Sequence, residues 1–215
     1  MMRATLAALT AVVLTAIWLG PLPDLARASF AAHMTMHMGV VAVAAPLIAL
    51  AIAGSRHDPV GAVSWRGAPI LASMIELVVV WGWHAPAMHL AARHHTWALV
   101  LEQGSFLVAG ALLWTAAIGG DREQRRLRAG SGVVALLFTS MHMTLLGALF
   151  ALANRPLFQH AGGRGETLTL SDQHLGGAIM LLVGGASYLA GGVWLTARML
   201  GTGRIERVAP RESFS

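Results

Sequence analysis

The segment from residue 33 to residue 38 reads His-Met-Thr-Met-His-Met, a pattern suited to metal chemistry. In a helix, His33 and His37 share one face, and Met34 and Met38 form a second pair beside them. Imidazole nitrogen and thioether sulfur are copper ligands, and thioether sulfur particularly suits Cu(I). The alternative interpretation is a satisfied interfacial histidine pair with methionines that pack against apolar neighbours. The spacing alone leaves both interpretations open.

Two further histidines lie where a helix would be locally unusual. His84 precedes Pro86, which frees a backbone carbonyl one turn back and can kink a helix. For His84, packing and ligation are equally consistent with the sequence. His142, followed by Met143, lies in the middle of a long apolar segment. An ionisable group at that depth is a functional candidate and should face a partner inside the protein.

Carboxylates extend the candidate set. Asp172, in a Ser-Asp-Gln-His run that ends at His174, could cap the helix that begins there, or could hold or gate a metal site. Glu102 could complete a metal shell or orient a histidine, and the deeper Glu76 could serve a proton or ion path; each could equally be protonated or paired. The predicted metal site therefore comprises His33, His37, His84, His142, His174, Met34, Met38, Met143, Glu102 and Asp172.

The elements that must position these residues are membrane-spanning helices. The mean hydropathy is +0.63 and only 12% of the residues are charged, against about 25% in soluble domains. A spanning helix needs roughly 20 apolar residues, and its backbone must be satisfied within the segment. We therefore expect an all-α membrane protein with a bundle of about six transmembrane helices. The predicted spans are residues 4–19, 30–54, 68–88, 96–118, 132–153 and 172–200.

The arginines predict the orientation of this bundle. All 15 basic residues are arginine, and an inside N-terminus places only Arg27, Arg93, Arg155 and Arg164 on the outer side. Both termini are thus expected in the cytoplasm, and the basic loops act as topology signals, which argues against nucleic-acid binding. The same topology puts eight of the ten histidines at or near the outer face: His33, His37, His84, His89, His94, His95, His160 and His174.

The chain divides into three predicted regions. Residues 1–29 form a first helix and an outer loop, residues 30–200 a five-helix core with the His/Met site, and residues 201–215 a flexible cytoplasmic tail. The first segment also has features of a signal peptide, because Arg3 precedes an apolar stretch that ends in Ala-Arg-Ala at 26–28. A retained helix is the favoured interpretation. Residues 121–128 are interpreted as a solvated inner loop.

Five motifs in order resemble the CtaG-type cytochrome c oxidase assembly factors, which are polytopic bacterial membrane proteins. The resemblance runs from about residue 30 to residue 200. It is carried by His33-Met34 with His37-Met38, Trp83-His84-Ala85-Pro86, Glu102-Gln103 with Phe106 and Trp114, His142-Met143 with Gly147-Ala148, and Asp172-Gln173 with Gly176, Ile179 and Met180. It implies a role in maturing haem–copper oxidase in the bacterial cytoplasmic (inner) membrane, in copper supply to the catalytic subunit.

The residues and the resemblance converge on an outer-facing metal site. The leading hypothesis is a non-enzymatic assembly factor that handles copper, as Cu(I), on the periplasmic face. Its expected partners are the lipid bilayer, the oxidase catalytic subunit and a periplasmic copper donor. Three alternatives stay open: an intramembrane zinc hydrolase with Glu102 or Asp172 as base, a membrane electron carrier with haem between His37 and His142, and a metal-free assembly scaffold.

Overall fold

The computed structural model describes residues 1–61, 63, 65–158 and 169–208, with the backbone alone for residues 201–208. These residues form helices and turns, and no strand occurs among them. The helices are α1 (Met2–Trp18), α2 (Leu22–Ala28), α3 (Phe30–Met38), α4 (Ala45–Ile52), α5 (Ala68–Trp83), α6 (Pro86–His94), α7 (Thr96–Ile118), α8 (Arg122–Ala151), α9 (Leu170–Ile179) and α10 (Gly185–Val208). Two π-helical segments, Gly39–Ala44 and Met180–Gly184, join α3 to α4 and α9 to α10.

Four continuous helices are long and apolar enough to cross a membrane: Phe30–Ile52, Thr96–Ile118, Arg122–Ala151 and Leu170–Leu200. Two bent pairs qualify when each is taken as one span, α1 with α2 at 42° and α5 with α6 at 72°. The predicted all-α membrane fold with about six spans is therefore confirmed. The orientation in the membrane stays a prediction.

The boundaries of the spans differ from the predicted ones at two places. The third predicted span, residues 68–88, is broken after Trp83, because Pro86 cannot continue the hydrogen-bond ladder and starts a new helix at its first position. The predicted solvated loop at residues 121–128 is wrong, because α8 begins at Arg122. A capping box between Asp121 and Gln124 starts this helix.

Buried polar groups close the end of the bundle at which α4 ends and α8 begins. The Asp58 carboxylate accepts hydrogen bonds from the backbone amides of Gly54, Val60 and Gly120 at 2.7, 3.1 and 2.6 Å. Arg128, only 1% exposed, donates to the carbonyl of Gly119. The charged run at residues 121–128 suggested a solvated loop. It can instead form the start of α8 because the buried guanidinium of Arg128 is satisfied by a loop carbonyl.

Glycines let the last spanning helix approach its neighbours closely. A Cβ on Gly177 would lie 2.4 Å from the backbone nitrogen of Ala151, and one on Gly147 would lie 2.7 Å from that of Leu181. Such contacts between small residues are how helices associate in membranes. Helix α10 then continues through residue 208, eight residues into the predicted tail, whereas residues 209–215 lie outside the described part of the chain.

Candidate metal centre

Three buried side chains from three helices meet at one point inside the bundle. His33 of α3, His89 of α6 and Glu102 of α7 are each at most 1% exposed. One ligand atom from each lies within 4.8 Å of the other two. His33 Nε2 and Glu102 Oε1 are 3.2 Å apart, and the rings of His33 and His89 have centroids 4.8 Å apart. We call this group the metal triad.

The orientation of the triad distinguishes it from an ordinary hydrogen-bonded cluster. Although Nε2 of His33 and Oε1 of Glu102 lie 3.2 Å apart, neither atom has a hydrogen bond of acceptable geometry. Two ligand atoms that each lie about 2.0–2.1 Å from one ion in tetrahedral geometry are separated by roughly 3.3 Å. Buried polar atoms without a hydrogen bond are costly, and a metal ion bound between these two atoms would remove that cost. The donor set therefore fits a metal ion.

A second histidine pair lies beside the triad. The rings of His37 and His84 have centroids 5.4 Å apart, and Phe106 packs 3.9 Å from the His37 ring. His84 uses Nδ1 for a 2.6 Å hydrogen bond with the Val80 carbonyl, and its Nε2 has no hydrogen-bond partner. Both nitrogens of His37 are likewise without one. We call the triad together with this pair the histidine cluster.

The break between α5 and α6 is what brings His84 and His89 to the same cluster. On a continuous helix, residues five apart point about 140° away from each other. Here His84 caps α5, Ala85 is extended, and α6 starts at Pro86 at a 72° bend. His89 was not among the predicted ligands. Its place among the outer-face histidines, one turn after a helix-starting proline, was the signal that could have identified it.

Reciprocal contacts between two arginines hold α6 in place against α2. Arg93 Nε donates to the Arg27 carbonyl at 2.9 Å, and Arg27 Nη1 donates to the Arg93 carbonyl at 3.3 Å. Arg27 also donates to the Thr96 hydroxyl at the start of α7. The helix that carries His89 is thereby fixed to the helix that carries Glu102.

A small cavity leads towards the triad. Its volume is about 160 Å³, and it is lined by Pro86, Ala87, His89, Leu90, Arg93, Leu157 and Phe158. The Phe158 ring covers His89 at a centroid distance of 4.2 Å. The buried Gln173 fixes this cover, because its Oε1 accepts from the Leu157 amide at 2.7 Å and its Nε2 donates to the Phe150 carbonyl at 3.3 Å. His89 is thus the member of the triad that borders a cavity.

The predicted methionine ligands pack against glycines of the last spanning helix. A Cβ on Gly176 would lie 3.1 Å from Cγ of Met34, and one on Gly184 would lie 3.1 Å from Sδ of Met38. The same Cβ on Gly184 would lie 3.6 Å from Cβ of Met143. All three methionines are fully buried. Their described contacts are those of packing residues, and their role as auxiliary ligands stays a prediction.

Asp172 makes contacts of a different kind from those of the triad. Its carboxylate accepts hydrogen bonds from the Ser29 hydroxyl at 2.7 Å, the Phe30 amide at 2.6 Å and the Ala31 amide at 3.3 Å. It therefore caps the start of α3, a helix distant in sequence. The alternative in which Asp172 caps its own helix is wrong, because α9 begins at Leu170 and Thr169 caps it.

The remaining predicted histidines lie apart from the described contacts of the triad. His174 Nε2 makes a 2.8 Å hydrogen bond with the Ala153 carbonyl near the end of α8. His142 is 2% exposed, lies beside Phe138 with ring centroids 5.7 Å apart, and has no hydrogen-bond partner on either nitrogen. His160 lies outside the described residues. Of the ten predicted site residues, the triad unites His33 and Glu102, with His37 and His84 adjacent.

Comparison with known proteins agrees with this helical arrangement. The family model for the cytochrome c oxidase caa3 assembly factor, Caa3_CtaG, matches residues 1–202, which include every helix that contributes to the histidine cluster. The chain belongs to this family. No curated protein and no solved structure matches it at a significant level. The resemblance noted from the five motifs is therefore confirmed.

Membership of this family establishes a coarse function. The chain is a membrane protein that acts as a cytochrome c oxidase assembly factor, and it interacts with components of that oxidase. The buried cluster of four histidines and one glutamate contains nitrogen and oxygen atoms of the kinds that metal ions bind, and its member His89 borders a cavity.

Proposed function

We propose that this assembly factor carries copper as cargo for the catalytic subunit of cytochrome c oxidase. The observation that supports this most directly is the metal triad, in which ligand atoms of His33, His89 and Glu102 lie within 4.8 Å of one another in a buried site. Imidazole is a good ligand for copper, and thioether sulfur suits Cu(I) in particular.

Charge and burial also favour a cation in this position. A buried carboxylate is expensive unless a positive charge or several donors compensate it. Glu102 is completely buried, and its Oε1 faces an imidazole without a hydrogen bond. A copper ion held by both groups would neutralise the carboxylate and satisfy the ring nitrogen. Cu(I) is the proposed oxidation state, with Met34, Met38 and Met143 as auxiliary soft ligands.

The two parts of the histidine cluster suggest a direction of movement. Copper from a periplasmic donor would enter at the cavity bordered by His89, bind at the triad, and have the His37–His84 pair as the next ligands. Cargo must be released as well as bound, and three ligands leave part of the coordination shell open for exchange. The proposal places the factor in the bacterial inner membrane with this cavity on the periplasmic side.

One alternative deserves a direct comparison, because two histidines and a glutamate also form catalytic zinc sites. A zinc hydrolase would retain zinc and would need an activated water at the open position. The test is metal analysis of the full-length protein purified from cells grown with copper and zinc both supplied. The proposal predicts about one copper ion per chain; zinc at that level, no metal, or a Soret band from haem would contradict it.

The cover over His89 should control the rate of copper exchange. Replacing Gln173 with alanine removes both hydrogen bonds that fix residues 150–157 beneath Phe158. We expect copper transfer to a chelator to accelerate roughly tenfold, equivalent to about 1.4 kcal/mol, which is the size of one or two hydrogen bonds. The measurement is stopped-flow transfer to a coloured chelator, with Leu175→Ala, at an exposed position of the same helix, as the control. An unchanged rate would show that this cover does not gate the site.

A further inference from the structure

A second buried polar site lies midway along α5, away from the histidine cluster. Glu76 is completely buried in α5, eight residues from the start of the helix and eight from His84, which is about 12 Å in each direction. Its Oε1 is hydrogen-bonded to the hydroxyl of Tyr188 in α10, which is also completely buried. The metal proposal makes no use of either residue.

Two other helices complete the surroundings of this carboxyl group. Gly110 of α7 lies beside it, and a Cβ there would be in ordinary van der Waals contact with Oε1 at 3.6 Å. The Thr139 hydroxyl of α8 lies near the carboxyl without a hydrogen bond of good geometry, and Oε2 of Glu76 has no partner. Among the described residues in contact with Glu76, Tyr188 is the one that can titrate.

Tyr188 also contacts the π-helical segment Gly39–Ala44. Its hydroxyl lies 3.3 Å from the Val41 carbonyl, and the neighbouring Ser187 donates to the Ala42 carbonyl at 2.8 Å. A π-helical turn interrupts the regular pairing of the backbone, and such turns are frequent at functional sites. The last spanning helix therefore supplies the donors that satisfy two carbonyls of the irregular segment.

The hydrogen count at Tyr188 determines the charge of Glu76. A tyrosine hydroxyl has one hydrogen, yet its oxygen lies within hydrogen-bond distance of two acceptors, the Val41 carbonyl and the Glu76 carboxyl. Both contacts are satisfied only when the carboxyl carries its own proton and donates it to Tyr188, which then donates to Val41. Oε2 is then the carbonyl oxygen of a neutral acid, for which the lack of a partner costs far less than for a carboxylate.

We propose that Glu76 and Tyr188 form a proton-binding site inside the membrane, and that the bound proton keeps α10 attached to the π-helical segment. Loss of this proton would leave the Glu76 carboxylate and the Val41 carbonyl competing for one hydroxyl hydrogen. Tyr188 would then turn to the carboxylate and release Val41. The site thus links proton occupancy to the contact between the spans Phe30–Ile52 and Leu170–Leu200.

Infrared difference spectroscopy tests the proposal on the full-length protein at neutral pH, in a maltoside detergent that has no carbonyl group of its own. We expect a deuterium-sensitive carbonyl band of a protonated carboxylic acid, because exposed carboxyl groups are ionised at this pH. The band should disappear in Glu76→Gln, which is isosteric, and should persist in Glu102→Gln, the matched change at the other buried glutamate.

Tyr188→Phe provides a second, independent readout. The carboxyl group then loses its hydrogen-bond acceptor while the ring is kept, so the band should remain and move to higher frequency. A wild-type spectrum without such a band, a band that survives in Glu76→Gln, or a frequency unchanged in Tyr188→Phe would each overturn the assignment. The Tyr188→Phe result decides the question even if Glu76→Gln does not fold.

Discussion

Replacing His33 with alanine is expected to lower the affinity of the chain for copper by about 100-fold or more. His33 is the central member of the triad, since its Nε2 lies 3.2 Å from Glu102 and its ring neighbours that of His89. Loss of groups that merely orient a metal ligand costs 10–100-fold in affinity, so loss of a ligand should cost at least the upper end of that range, roughly 100-fold. The measurement is competition with a copper chelator of known affinity.

The control for this variant is His94→Ala, which removes an exposed histidine from the end of the helix that carries His89. It should leave the affinity within about twofold of wild type. Glu102→Gln should resemble His33→Ala, because an amide keeps the shape of the side chain but lacks the negative charge. An unchanged affinity in both triad variants, with intact helical content, would remove the triad as the copper site.

The same variant tests the role in the cell. Because the family is defined by oxidase assembly, the copper content and activity of the oxidase should fall with the affinity of His33→Ala. If the variant no longer binds copper but the oxidase still contains its normal amount of copper, then copper binding by this chain is not required for oxidase assembly. A metal-free scaffold would then be the better interpretation of the family role.

Hydropathy was sufficient to predict most of the spanning helices. The span at Thr96–Ile118 was predicted at both ends, because charged and polar residues flank a continuous apolar run. The start of α8 was missed, since a run rich in arginine looks solvated when its partners are unknown. Arg128 is buried beside the carbonyl of Gly119, in the turn before α8, and that of Val60, 68 residues away in the sequence. Contacts of that range leave no local signal in one sequence.

The residues of the site were also predictable only in part, because spacing within one helix does not show which helices lie next to each other. Helical spacing correctly placed His33 and His37 on one face, and Glu102 was named as a carboxylate that could complete a metal shell or orient a histidine. Met34 follows His33 by one residue, a rotation of about 100°, so the two side chains face different helices. Spacing cannot say which helix lies on which side. The position of His89 in the site depends on the angle between α5 and α6. Pro86 indicates that the helix breaks there, but the sequence does not give the angle.

Asp172→Ala is expected to destabilise the protein by about 3 kcal/mol, because it removes a carboxylate that accepts three hydrogen bonds at the start of α3. The negative charge also interacts favourably with the positive end of that helix. Thermal unfolding of the metal-free protein in detergent measures the loss. Asp24→Ala, at an exposed carboxylate in the first turn of α2, is the control and should cost less than about 1 kcal/mol.

Copper binding by Asp172→Asn distinguishes a cap from a ligand. An asparagine oxygen can still accept from the amide of Phe30, so the variant should keep part of the stability and bind about one copper ion per chain with an affinity within roughly tenfold of wild type. A directly bound carboxylate would behave in the opposite way, with near-normal stability of the metal-free protein and a loss of affinity like that of His33→Ala. Because Asp172 fixes the helix one turn before His33, a modest loss of both properties together is the result that its contacts predict.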